Sequence, residues 1–140
     1  MRIREVRPPI VITRPDYERL FNLIDSSQIA PIVGDYLLDE LQRARIVASE
    51  EVAPTVVTMQ SRFIFRDEGT GESRKATLVY PDGENIVEGR ISILTPFGTA
   101  LLGLSEGQSI EFENRIGERR VITLVRVLSQ RVLASNTRSQ

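Results

Sequence analysis

Apolar positions along this chain keep two rhythms, and the switch between them near residue 54 is its main organising signal. In the first part, Tyr17, Leu20, Phe21 and Ile24 recur at helical spacing. Thr13 suits the N-cap of that helix, Pro15 its first turn, and Asp16 sets a carboxylate near the positive end of the dipole. The helix is predicted to fade at Asp25, Ser26 and Ser27. Residues 28–34, which include Pro31, read as a loop. Asp35 is then predicted to cap a second helix whose stripe is Leu37, Leu41, Ala44 and Ala48, widened by Leu38. Two such helices, each about 20 Å long, predict a short antiparallel hairpin. Ahead of them, residues 1–9 form a charged lead ending in Pro8-Pro9, and Ile10, Val11 and Ile12 a small strand or clip onto the core.

Residues 49–54 make a polar connector, and beyond them the period becomes two. Val57, Met59, Ser61, Phe63 and Phe65 alternate with Thr58, Gln60, Arg62 and Ile64, which predicts a strand. A turn at residues 67–72 leads to a second strand carrying Ala76, Leu78 and Tyr80, closed by Pro81-Asp82-Gly83. Residues 91–94 read as a third. Residues 108–114, with Ile110 and Phe112 set against Glu111 and Glu113, read as a fourth. After the turn Ile116-Gly117-Glu118, residues 119–128 are apolar on both sides for much of their length, which predicts an interior strand. Pro96 interrupts the series by opening a short helix, whose Ala100, Leu101, Leu102 and Leu104 can cover one sheet face. The expected class is α+β: a helical hairpin in residues 1–53, a mostly antiparallel sheet domain with one short helix in residues 54–128, and a polar tail in residues 129–140.

Composition narrows the chemistry. The 140 residues contain no His and no Cys. That removes Ser-His-Asp and Cys-His catalysts, disulfides and thiolate metal sites. Eighteen basic and 19 acidic residues leave a net charge of −1, which argues against broad binding to a phosphate backbone. No stretch is long and apolar enough to span a membrane, and the charged, proline-bearing start lacks a signal peptide's apolar core. A cytoplasmic protein with no cofactor, no metal and no small-molecule substrate is expected.

The segment ISILTPFGTALLGLSEGQSIEF at residues 91–112 resembles the C-terminal domain of the Gre transcript-cleavage factors of bacterial RNA polymerase. There an Ile-Ser strand runs into Ser-Pro-x-Gly, an Ala-Leu-Leu-Gly helix and a Gly-Asp turn. PPIVIT followed by Asp16, Glu18 and Arg19, ELQRAR at residues 40–45, VVTMQSRFIFRD at residues 56–67 and TLVYP at residues 77–81 are similar to the smaller Rnk-type regulators of nucleoside diphosphate kinase. The resemblance spans roughly residues 8–128. It implies an FKBP-like sheet domain that docks at the rim of the polymerase secondary channel. It also implies a hairpin too short to deliver the tip acids with which Gre factors help hold a catalytic magnesium. The chain is therefore expected to be a non-enzymatic regulator that binds RNA polymerase and competes with Gre factors, with at most incidental nucleic-acid contact. An active transcript-cleavage factor and a direct regulator of nucleoside diphosphate kinase are the alternatives. A peptidyl-prolyl isomerase, suggested by fold alone, is disfavoured by the absence of Trp and an aromatic content of 6%. Three departures from the Gre pattern stand out: the hairpin of about 20 Å, which is the decisive one, Thr95, which replaces the Ser of the docking turn but keeps its hydroxyl, and Gly107-Gln108, which replaces Gly-Asp.

Thr95, Pro96 and Phe97 are the candidate partner contacts, since an exposed proline beside an aromatic makes a compact apolar anchor. The plainer reading, a strand-to-helix turn with Phe97 in the core, is compatible with it. Asp25 and Asp35 flank the hairpin tip. A magnesium pair is one reading; a solvated helix end and a helix cap are the simpler one. Glu50, Glu51 and the acids of residues 67–72 read as solvated loops. Arg43, Arg45, Arg62, Arg66, Arg74 and Lys75 read as exposed cations paired with nearby acids or as a modest basic stripe. Gly98 and Gly103 lack the Lys-Ser/Thr sequel of a phosphate loop.

Overall fold

The computed structural model describes residues 8–26 and 31–131. Strand β1 (Val11–Thr13) runs directly into helix α1 (Arg14–Asp25). Thr13 caps that helix as predicted: its Oγ1 accepts from the Asp16 backbone N–H at 3.4 Å, and Pro15 occupies the first turn. At the far end the Ser26 N–H donates to the carbonyls of Asn22 and Leu23, so the helix stops at Asp25 where the polar run begins.

Helix α2 (Pro31–Arg43) corrects the expected boundaries. It starts at a proline that the sequence reading placed in a loop; a first-turn proline gives up no intrahelical hydrogen bond and has a helical φ already set. Asp35 therefore lies a turn inside α2, exposed, rather than at its cap. The helix also ends before the expected stripe does. Residues Arg45–Val47 leave as strand β2, which pairs in parallel with β1 through Val11↔Arg45, Ile12↔Ile46 and Thr13↔Val47. Ala44 and Ala48 thus share no helical face with Leu37 and Leu41, which are buried at 0% and 2% exposure. A β-branched Ile46-Val47 pair beside a waiting strand won over helical spacing. α1 and α2 pack on one another and on the elements around them.

Five strands build the main sheet in the order β5-β4-β3-β7-β6: β3 (Arg62–Asp67), β4 (Ser73–Val79), β5 (Arg90–Ser92), β6 (Ser109–Glu113) and β7 (Arg119–Ser129). Three of its pairings are antiparallel; β5 lies parallel to β4, with Leu78 opposite Ile91. β7 is interior, as its two-sided apolar character predicts, and its ladder with β3 shifts register twice. The strand expected from Val57 begins only at Arg62. Residues 58–61 form a turn in which the Thr58 N–H donates to Ser61 Oγ at 2.8 Å and Gln60 sits at φ +68°. Val57, Thr58, Met59 and Ser61 are all buried there, so the alternation in the sequence does not mark two faces of a strand.

Helix α3 (Pro96–Leu101) packs against β5 and β6. The core is continuous across residue 54. Ile10, Ile12, Leu20, Leu37 and Leu41 join Phe63, Leu78, Leu101, Leu104 and Leu124 in one cluster. Gly103 makes the join possible: a Cβ there would stand 2.8 Å from the Ile10 Cβ, and its carbonyl accepts from the Val11 N–H at 3.2 Å.

Candidate partner-binding site

The turn between β5 and α3 is built from its hydroxyls. Thr95 Oγ1 donates to the Ser92 carbonyl at 2.8 Å and accepts from the Gly98 N–H at 2.9 Å, so one side chain closes the turn and caps the helix. Ser92 Oγ accepts from the Leu94 N–H at 3.0 Å, and Thr99 Oγ1 donates to the Ile93 carbonyl at 2.7 Å. The chain folds back so tightly that a Cβ on Gly98 would lie 2.1 Å from the Ser92 oxygen. Only glycine fits there. The turn is rigid, and it holds Pro96 and Phe97 half-buried at the mouth of the core.

Phe97 is both structural and accessible. Its ring meets Phe65 edge-on at 4.8 Å and stacks on Phe112 at 5.8 Å. Phe65 and Phe112 are 7% and 8% exposed. The three rings form the floor of an open groove of about 760 Å³, which Thr95 and Pro96 also line. Its walls are Ile86 and Val87, on the connection between β4 and β5, and Ile116, in the turn between β6 and β7. Those three side chains are 69%, 97% and 78% exposed, the most exposed large apolar residues among those described. Arg74, Lys75 and Arg115 stand on the rim with Glu88. The turn is legible in the sequence, whereas the groove is not. Ile86-Val87 and Ile116, apolar residues inside otherwise polar turns, were the available signal.

A second polar centre joins the helices to the sheet. Asp16 is buried at 6% exposure; its Oδ2 accepts from the Met59 N–H at 3.1 Å and its Oδ1 from the Tyr80 hydroxyl at 3.4 Å. The Arg19 guanidinium lies 4.1 Å from the centre of the Tyr80 ring. Burial pushes the Asp16 carboxyl above its ordinary range, against the opposing pull of the Met59 N–H, Thr13, Tyr80 and Arg19. Burial, with Asp16 beside it, likewise raises the Tyr80 phenol. Nearby, the buried Glu40 pairs with Arg43 at 2.9 Å, and Arg43 donates to the Pro8 carbonyl. Asp16 was read from the sequence only as a dipole partner.

Asp25 and Asp35 both face solvent near the far ends of α1 and α2 that flank residues 27–30. Among the described residues, no group of three or more acidic side chains converges to hold a metal ion. Three of the six basic residues singled out in the sequence are paired with acids close by. Arg43 pairs with Glu40, Arg66 with Glu68 and Arg74 with Glu72.

The family description "Transcription elongation factor, GreA/GreB, C-term" matches residues 51–128, and "Rnk N-terminus" matches residues 8–47. The chain belongs to the GreA/GreB family. Within it, the sequence is 42% identical over 108 residues to the "Regulator of nucleoside diphosphate kinase" of Escherichia coli strain K12, covering 76% of this chain and 79% of that one. A solved GreA/GreB transcription elongation factor from Nitrosomonas europaea shares 42% identity and superposes with a TM-score of 0.68, over 86% of this chain and 98% of the other. The GreA factor of Nitratidesulfovibrio vulgaris is 28% identical over 75 residues, 54% of this chain and 47% of its own length. The curled five-stranded sheet with its packed helices agrees with the GreA/GreB C-terminal fold. Both the groove and the Thr95–Phe97 turn lie inside the segment that the GreA/GreB description covers. No helix among the described residues is long and apolar enough to cross a membrane.

Proposed function

We propose that this protein is a cytoplasmic, non-enzymatic regulator that docks on RNA polymerase near the secondary channel. It competes there with Gre factors and does not stimulate transcript cleavage. Residues 54–128 act as an FKBP-like docking domain through Thr95, Pro96 and Phe97. The observation that carries this reading is the open aromatic groove beside that turn, inside the GreA/GreB-matched segment. A rigid apolar patch of this kind suits a protein partner.

The arm supports the absence of cleavage. Helices of 12 and 13 residues span about 18–20 Å at 1.5 Å per residue. As an antiparallel hairpin rooted on the sheet through Asp16, such an arm is too short to carry Asp25 and Asp35 deep into a large enzyme. The test is retention of the purified protein by core RNA polymerase, with a full-length Gre factor as competitor. Binding with displacement of the Gre factor and no cleavage in backtracked complexes is expected. No retention at micromolar concentration would falsify the docking reading. Magnesium-dependent cleavage lost in Asp25→Asn or Asp35→Asn would favour an active cleavage factor instead.

A second reading follows from the name of the Escherichia coli relative: direct regulation of nucleoside diphosphate kinase. Co-elution of the two purified proteins in size-exclusion chromatography would favour it.

A further inference from the structure

We propose that the outer face of the five-stranded sheet, the side turned away from the core, binds single-stranded RNA through phosphate contacts at Arg62, Lys75 and Arg126. This goes beyond the polymerase-docking reading and is tested without polymerase.

Strand alternation brings these side chains together. Phe63 and Phe65 of β3 and Ala76 and Leu78 of β4 belong to the core, so Arg62, Ile64, Lys75 and Thr77 take the outer face. Ile64 is in register with Lys75 on one side and with Arg126 of β7 on the other. Neighbouring strands lie about 4.8 Å apart and residues i and i+2 about 6.6 Å apart, which sets the three cations within about 10 Å of one another along the backbone. All three are exposed, and among the described residues none of them makes an ion pair.

The carboxylates bordering this face are already engaged. Glu68 holds Arg66 and the Thr123 hydroxyl, Glu88 stands 4.0 Å from Arg90, and Glu106 accepts from the Val127 N–H at 2.8 Å. Glu111 and Glu113 lie at the opposite corner, in register with Val121 and Arg119. The face is therefore positive at one end only. A net charge of −1 excludes a broad phosphate-binding surface, but three uncompensated cations suit a few successive phosphates of one strand.

Binding a single strand takes a platform as well as charge. Half-buried Ile64 lies between the cations, and Val125 and Leu128, at the two register shifts of β7, are 39% and 38% exposed. Bases can lie on this apolar ground, and an unpaired guanidinium offers a further stacking plane. Thr77 and Ser129 are in register with Arg62 on either side. Their hydroxyls are suited to a ribose 2′-OH, which favours RNA over DNA.

The experiment titrates the full chain into a short fluorescent oligouridine and follows anisotropy at several salt concentrations. Wild type is compared with the triple variant Arg62→Gln/Lys75→Gln/Arg126→Gln and with Arg45→Gln, an exposed cation on the separate two-stranded sheet. Wild type should show a log–log salt slope of about −2, from three contacts at about 0.7 each. The triple variant should bind at least about tenfold more weakly while its thermal unfolding stays unchanged, because all three positions are exposed. Arg45→Gln should match wild type. No binding by wild type at about 50 mM salt overturns the proposal, as does a triple variant within about twofold of wild type or an equal loss in Arg45→Gln. Oligodeoxythymidine bound as tightly as oligouridine overturns the assignment to RNA. A poly-glutamate peptide bound more tightly than RNA through the same three side chains makes an acidic protein the occupant instead. None of these outcomes bears on docking to polymerase, so the two readings fail separately.

Discussion

The inner face of the sheet has two ends, and they contrast in what covers them. At one end Ile10, Ile12, Leu20, Leu37 and Leu41 seal the core beneath α1 and α2, with Asp16 tied to Met59 and Tyr80. At the other, Phe65, Phe97 and Phe112 open into a trough walled by exposed Ile86, Val87 and Ile116. β4 runs from one to the other: Ala76 lines the trough and Tyr80 reaches the clamp, about 13 Å away at strand rise. Both ends are apolar, but at one the apolar area is already removed from water. Changes there should be read in stability, and changes at the open end in binding.

The sharpest break of that contrast is a cavity at the sealed end. Leu20→Ala, at a residue with 0% exposure, should lower unfolding free energy by about 3 kcal/mol in urea titrations. An effect below about 1 kcal/mol would mean that the helices are not part of one cooperative core. Gly98→Ala tests the boundary between the two ends. Its new Cβ meets the Ser92 carbonyl, so a loss of about 2 kcal/mol or more is expected by the same measurement, with weakened polymerase binding as the turn is pushed open.

The Asp16 clamp should show itself through pH. Its folded carboxyl is raised above the ordinary 3.8, so the native state holds the proton more tightly than the unfolded chain does. The stabilisation is full at low pH and is lost as pH rises through the folded value. Asp16→Asn cannot titrate. The urea midpoint of wild type relative to this variant should therefore fall as pH is raised from about 4 towards neutrality. A midpoint difference that rises instead would show that the bonds from Met59 and Tyr80 outweigh burial. The smallest expected effect lies at the open end. Ile116→Ser should change thermal stability by no more than about 0.5 kcal/mol, and a larger loss would mean that the trough is core after all.

How far the sequence carried depended on whether a feature was local. The Thr13 cap, the Thr95-Pro96 turn and the two-sided β7 were legible because each is written in neighbouring residues. The start of α2 was misplaced because Pro31 was read as a breaker when it serves as an opener. Strand β2 was missed because its partner β1 is more than thirty residues away, while Ala44 and Ala48 happen to continue a helical spacing. The alternation at residues 57–61 could not reveal that Gln60 takes a left-handed backbone. The trough escaped notice for a similar reason. Phe65, Phe97 and Phe112 meet only once three separate elements have folded together, and the same holds for Asp16 with Met59 and Tyr80.

The parallel arrangement of β4 and β5 has one further consequence. A chain that must re-enter a sheet in the same direction has to travel back outside it, and residues 80–89 make that return trip carrying Ile86 and Val87. Most of this detour is unconstrained by the ladder, so its crest can lengthen, shorten or change character while the strands beneath keep their places. Relatives with the same framework could thus acquire different tastes in partners by editing a single overpass.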